Sequence, residues 1–246
     1  MDIPKYYEDG GKVAGLDFQQ REAGARKIVS LLGPDKVVLE FGSGASTVFY
    51  PQFAKKWISI ESCREWFDII KPKVPANVEM ISAERTHSNE YMPPEKDIEE
   101  AKKRYAFQDT EFEISKPYCM GKTKDFPVLQ YLRHVDFVEA VKQIKEKVDL
   151  VFVDSRAKVF CALAAVSVLK PDGVIVVHDW SRSEYRPLLD YFEMVEAIEP
   201  PAGDLVVLKP KKMAAKPKKT AKKKLPPTPE VSLQLPKKKK ARKKKA

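Results

Sequence analysis

Glu40-Phe41-Gly42-Ser43-Gly44-Ala45-Ser46-Thr47 sets a carboxylate two residues ahead of a pair of glycines spaced by one. Gly42 and Gly44 permit a tight bend and let a ligand approach the backbone without a Cβ in the way. Glu40 offers charge to a cationic or hydroxyl-bearing partner. A dinucleotide fingerprint would place a third glycine at position 47, where this chain has Thr47, and that weakens a nicotinamide reading. A tight turn with no ligand is the plainer alternative. Glu61 closes the next apolar run, 21 residues after Glu40, where a carboxylate can accept both hydroxyls of a ribose or simply face solvent. Val153-Asp154 and His178-Asp179 end two further runs in acids. Two carboxylates there suit a divalent cation held through oxygens, or one of them can take a proton. His178 titrates closest to neutrality of the three. Asp154 and Asp179 would equally serve as caps for the helices that follow.

These residues need elements to carry them to one place. Residues 17–32 are mostly good helix formers, halted by Gly33-Pro34. β-Branched or apolar runs predict strands at 36–40, 57–61, 77–82, 148–153 and 174–178, with helices near 46–54, 63–71, 129–146, 156–169 and 182–192. Short buried strands alternating with helices imply a doubly wound, mostly parallel sheet. The last two strand candidates, 194–199 and 204–209, are joined only by Pro200-Pro201-Ala202-Gly203, so they must run antiparallel. The expected α/β fold is thus a seven-stranded sheet closed by a reversed hairpin, occupying residues 1–210. Residues 84–128, with Pro93, Pro94, Pro117 and Pro127 and a short helix at 95–105, interrupt the rhythm as a lid or insertion.

Charge divides the chain in two. Residues 211–246 hold 16 of the 45 Lys and Arg and a single acid, Glu230, which leaves 29 basic against 34 acidic residues in 1–210. The body carries −5 and the tail +15, so the basic pI describes the tail alone. Rich in Lys, Ala and Pro and lacking aromatics, residues 211–246 are expected to be disordered. The run Lys237–Lys245 suits nuclear import, or nonspecific contact with nucleic acid or another polyanion. Cys63, Cys119 and Cys161 are odd in number and scattered, which suits free thiols. The longest nearly apolar run, Val159–Leu169, has eleven residues against the ~18–20 needed to span a bilayer. The first residues lack the apolar stretch of a secretory signal. A soluble intracellular protein of nucleus or cytoplasm, with no membrane span, is the expectation.

Glu40-x-Gly42-x-Gly44, Glu61, Asp154 and the segment Pro171–Asp179 together resemble a class I S-adenosylmethionine-dependent methyltransferase over roughly residues 17–210. The stretches VDSRAKVFCAL and VVHDW are most similar to small-molecule and sugar O-methyltransferases. The resemblance implies a Rossmann-like fold and S-adenosylmethionine as cofactor. Glu40 and the Gly42–Ser43–Gly44 backbone would border its methionine end, Glu61 would bind its ribose, and Ser82 to Glu84 would lie near its adenine. In metal-dependent members, acids placed like Asp154 and Asp179 hold a magnesium ion. This chain departs from the catechol type, with Trp180 in place of an amide residue and Ala157 in place of a lysine base. A metal-free base, Asp154 or His178, is therefore equally open. Tyr91, Tyr105, Phe107, Phe112 and Tyr118 would wall an acceptor or anchor the insertion. The expected acceptor is a glycan or other small molecule. The alternatives are a nucleic acid or protein delivered by the tail, or a polyanion-binding module without turnover.

Overall fold

Runs such as Val37-Val38-Leu39 and Leu150-Val151-Phe152-Val153 are apolar on both parities, so each strand they form must be covered on both faces. The computed structural model, which describes residue 3 and residues 11–88, 91–105 and 126–211, has that arrangement. Seven strands form one sheet: β1 (Gly33–Phe41), β2 (Ala54–Glu61), β3 (Val78–Ser82), β4 (Val148–Val153), β5 (Leu169–His178), β6 (Phe192–Ile198) and β7 (Leu205–Pro210). Their order is β3-β2-β1-β4-β5-β7-β6. β1 to β5 are parallel, and β7 runs antiparallel to both β5 and β6, as the short final connection requires.

Leu39, Phe41, Val151 and Val153 pack on one side against Val128, Phe137 and Phe160. These come from α5 (Phe126–Arg133), α6 (Val135–Glu139) and α7 (Lys158–Ala165). Val38, Leu150 and Phe152 pack on the other side against Phe18, Ile28, Tyr50 and Ile70. Ile28 lies on α1 (Glu22–Leu31) and Ile70 on α3 (Arg64–Ile70), while α2 (Ala45–Phe49) follows β1. Each such side chain contributes about 1.5–3 kcal/mol by burial. β1 lies between β2 and β4, so chain connections leave it in opposite directions. Its carboxyl end is the topological switch point where such sheets open a crevice.

Several elements differ from the sequence expectation. The 17–32 helix begins only at Glu22, because Leu16 to Gln20 is extended with Leu16, Phe18 and Gln20 buried and Asp17 and Gln19 exposed. That period-2 burial outweighs helix propensity, and Leu16–Asp17 pairs with Lys12–Val13. The 129–146 helix is two pieces that break at His134, whose Nδ1 lies 2.8 Å from the Gln130 carbonyl. Residues 170–173 belong to β5 as an irregularity in its pairing with β4. The 182–192 helix is a 3₁₀ turn, Ser183–Tyr185, and the short α8 (Leu188–Tyr191). α4 (Glu95–Tyr105) covers the helix read inside the insertion. Phe107, Phe112 and Tyr118 lie outside the described residues, as does the tail from residue 212. Among the described residues no helix is long and apolar enough to cross a membrane, and Cys63 and Cys161 are free.

Candidate active site

The turn after β1 is built around one glycine that cannot be replaced. Gly42 has φ +88°, and a Cβ there would lie 2.4 Å from the Asp154 carbonyl oxygen. Its N–H donates to the Ile60 carbonyl at 2.8 Å, while Asp154 N–H donates to Phe41 at 3.0 Å, so the ends of β2, β1 and β4 are tied together. Gly44 is extended, and a Cβ there would meet nothing within 4 Å.

Two acids hold this turn. Glu40 is fully buried beneath it and accepts hydrogen bonds from Ser46 Oγ (2.6 Å), Thr47 Oγ1 (2.7 Å) and Trp57 Nε1 (2.8 Å). Burial pushes its pKa up to about 7 against the pull of those donors. Glu61, also buried, accepts from Ser43 N–H and Ser43 Oγ through Oε2, both at 2.7 Å. Its Oε1 accepts from the Ser62 and Cys63 amides at 2.7 and 2.8 Å. Trp66 Nε1 donates to the Ser43 carbonyl at 2.6 Å.

Above the turn lies a cavity of about 280 Å³, bounded by Gly42 to Ser46, Trp66, Asp154 and the extended residues Asp17, Gln19 and Gln20. Asp17 and Asp154 give it two carboxylates, and among the described residues its lining holds no Lys, Arg or His, although Lys12 lies 3.8 Å from Asp17 and Lys158 3.3 Å from Asp154. Carboxylates on the lining suit a cationic ligand better than a pyrophosphate.

On the far side of Asp154 is a compact charge cluster. Two non-glycine residues with left-handed backbones, Ala157 (φ +52°) and Asp179 (φ +59°), turn the chain so that α7 and the end of β5 converge there. Lys158 Nζ lies 3.3 Å from Asp154 Oδ1 and 2.9 Å from Asp179 Oδ2, and donates to the His178 carbonyl at 2.8 Å. Its cationic head also lies over the Tyr185 ring at 5.2 Å. His178 Nδ1 lies 3.1 Å from Asp154 Oδ1, and Gln20 Nε2 donates to Asp154 Oδ2 at 3.0 Å. Burial opposes charge on all of these groups, and their mutual attraction prevails. His178 and Lys158 hold the Asp154 carboxyl well below its usual range, and Lys158 does the same for Asp179. Tyr185, Asp154 and Asp179 raise Lys158, and Asp154 raises His178.

Asp154, His178 and Asp179 bring ligand atoms within 4.8 Å of one another, as a metal site would. Magnesium, one of the two alternatives for these acids, does not fit them here. The buried Lys158 ammonium bridges Asp154 and Asp179, and a divalent cation between them would have to expel it.

No model of a known protein family matches the chain, and no curated protein matches its sequence. Solved structures do match in shape. A methyltransferase-like protein from Silicibacter pomeroyi aligns with TM-score 0.51 at 18% identity, over 81% of this chain and 92% of that one. A ribosomal protein L11 methylase from Lactobacillus delbrueckii subsp. bulgaricus aligns with TM-score 0.47 at 10% identity, over 85% and 91%. The fold is the Rossmann-like methyltransferase fold.

Within that fold the residues picked out by sequence fall into three groups. Gly42, Ser43, Gly44 and Asp154 border the cavity. Asp154, His178 and Asp179 share one cluster. Glu40 and Glu61 do not border the cavity, because their oxygens are engaged in holding its floor and rim. Ser82 pairs with Glu61 at the end of β3, and Glu84 is exposed; neither borders the cavity. Tyr91 stacks on His87 at 3.8 Å and faces a different cavity, formed with α4 and α5. Lys158, Gln20 and Trp66 were not foreseen. Lys158 had a legible signal as the lone charge in the apolar run from Ala157 to Leu169. It stands one residue beyond the position where a lysine was sought.

Proposed function

We propose that the chain is an S-adenosylmethionine-dependent methyltransferase acting on a hydroxyl of a sugar or other small molecule. The observation that carries this reading is the cavity at the carboxyl end of β1, whose lining includes the carboxylates of Asp17 and Asp154. S-Adenosylmethionine would supply a methyl group already activated on a sulfonium, a cation that such a lining attracts.

What remains for the protein is placement and proton removal. Gly42 brings backbone to the cavity wall without a side chain, and placement of this kind is worth ~7–11 kcal/mol of barrier. Glu61, engaged by Ser43, Ser62 and Cys63, would meet a ribose hydroxyl only where that hydroxyl displaces the Ser43 Oγ. An ionised Asp154 only accepts, so His178 Nδ1 donates to it and Nε2 is left as the imidazole's acceptor. In this reading His178 is a base oriented by a third group and would take the hydroxyl proton for a gain of typically ~100- to 10,000-fold. Lys158 bridges Asp154 and Asp179 and offsets one of their two charges, with Arg182 3.4 Å from Asp179 beside it.

The +15 tail supports a second reading, in which the acceptor is a nucleic acid or other polyanionic macromolecule. Incubating the full chain with methyl-labelled S-adenosylmethionine and fractionated extract tests both. Label in small metabolites or glycans, abolished in His178→Gln, is the expected result. Label in RNA or protein that disappears on deletion of 212–246 favours the second reading. Binding without any transfer contradicts both.

A further inference from the structure

Gln20 is 2% exposed, borders the cavity and is only half satisfied. Its Nε2 donates to Asp154 Oδ2 at 3.0 Å, but Oε1 is buried and has no partner among the described residues. The amide cannot gain by turning over, because an ionised Asp154 accepts only and must face the N–H end. A buried carbonyl left unmade is costly, and such atoms in native proteins call for an explanation. A ligand that brings a donor supplies one.

The layout of the crevice says which donor. Glu61 ends β2 on one side of β1, and Asp154 directly follows β4 on the other. Gln20 stands on the β4 side, where it borders the cavity and its amide N–H meets the Asp154 carboxylate. That end suits a multiply donating cation, while the Glu61 end suits neutral hydroxyls. We infer that Gln20 is a positioning residue whose carbonyl accepts a hydrogen bond from the α-ammonium of the donor's amino-acid end, while its amide N–H holds Asp154 in place. The inference rests on the reading of the site as an S-adenosylmethionine crevice and adds to it a determinant of selectivity. The amino-acid end, beyond the nucleoside, is recognised by a residue preceding α1.

Titration calorimetry on the full chain with two ligands tests it. S-Adenosylhomocysteine carries the amino-acid end, and 5′-methylthioadenosine has the same nucleoside and sulfur without it. Gln20→Met is expected to weaken S-adenosylhomocysteine about 10- to 100-fold, the scale of a lost hydrogen bond to a charged group, and to change 5′-methylthioadenosine by less than about threefold. Unaltered binding of the second ligand also shows that the variant is folded. Gln20→Glu keeps an acceptor oxygen at the same reach, whether ionised or sharing a proton with Asp154, and retains the preference for S-adenosylhomocysteine. Equal losses for both ligands, no loss for either, or loss of preference in Gln20→Glu would overturn the assignment. If the unaltered chain binds neither ligand, the donor reading falls, and this inference falls with it.

Discussion

Asp154 accepts from Gln20, His178 and Lys158 at once, so its charge organises three other side chains. Asp154→Asn keeps the shape but turns one acceptor into a donor facing those donors. Turnover is expected to fall about 100-fold or more, with S-adenosylhomocysteine affinity reduced far less, because the change disarms the base chiefly through His178. Steady-state kinetics beside calorimetry separates the two; equal losses would mark Asp154 as structural. His178 itself must be neutral to act, and Asp154 raises its pKa above the ordinary 6.5. If His178 is the base, the activity of the full chain should therefore decline as pH falls through a midpoint above 6.5, and a pH-independent rate across that range would remove His178 from the role. At this scale the sequence was informative where a residue ends or directly follows a strand, as His178 and Asp154 do. It was less so for Glu40, which lies inside β1 on the same face as Val38 and is turned into the core. A carboxylate one residue short of the strand end faces packing, not the crevice. Lys158 and Gln20 acquire their meaning only when α7 and the segment before α1 meet at Asp154.

The turn between β1 and α2 shows how two glycines of one motif do different work. Gly42→Ala pushes a methyl into the Asp154 carbonyl at a positive φ, and neither strand end can give way without breaking the ties among β1, β2 and β4. It should cost at least about 1–2 kcal/mol in denaturant titration. Gly44→Ala has an extended backbone and open space, so stability should stay within about 0.5 kcal/mol while the methyl, at the cavity wall, lowers ligand affinity. Should Gly44→Ala destabilise and Gly42→Ala not, the geometry of the turn is wrong. The strands and the reversed closing hairpin were legible because apolar runs and a four-residue connection leave little choice of topology. The start of α1 was not. Leu16-Asp17-Phe18-Gln19-Gln20 consists of acceptable helix formers, yet its burial alternates with period 2, and it became a wall of the cavity.

For the molecule as a whole, the buried Glu40 couples stability to pH. Its pKa is raised from 4.5 to about 7, so the favourable contribution is complete below 4.5 and is lost as pH rises through about 7, roughly 3 kcal/mol across that window. His178, also raised, acts in the same direction, whereas Asp154, Asp179 and Asp149 are lowered from 3.8 and exert their effect only in acid. Urea midpoints should fall between pH 5 and pH 8, and Glu40→Gln should flatten the slope whatever it does to the absolute value. Charge also sets how the tail can act. With +15 against a body of −5, residues 211–246 favour polyanion contact that weakens steeply with salt, while small-molecule turnover should survive deletion of 212–246.

The most direct test of the central claim is a calorimetric titration of the full chain with S-adenosylmethionine, set beside the same titration with a nicotinamide dinucleotide. An acid-lined crevice at the end of β1 predicts saturable one-to-one binding of the sulfonium ligand, weakened in Gly44→Ala, and none of the dinucleotide. No heat from the sulfonium ligand, or tighter binding of the dinucleotide, would contradict it.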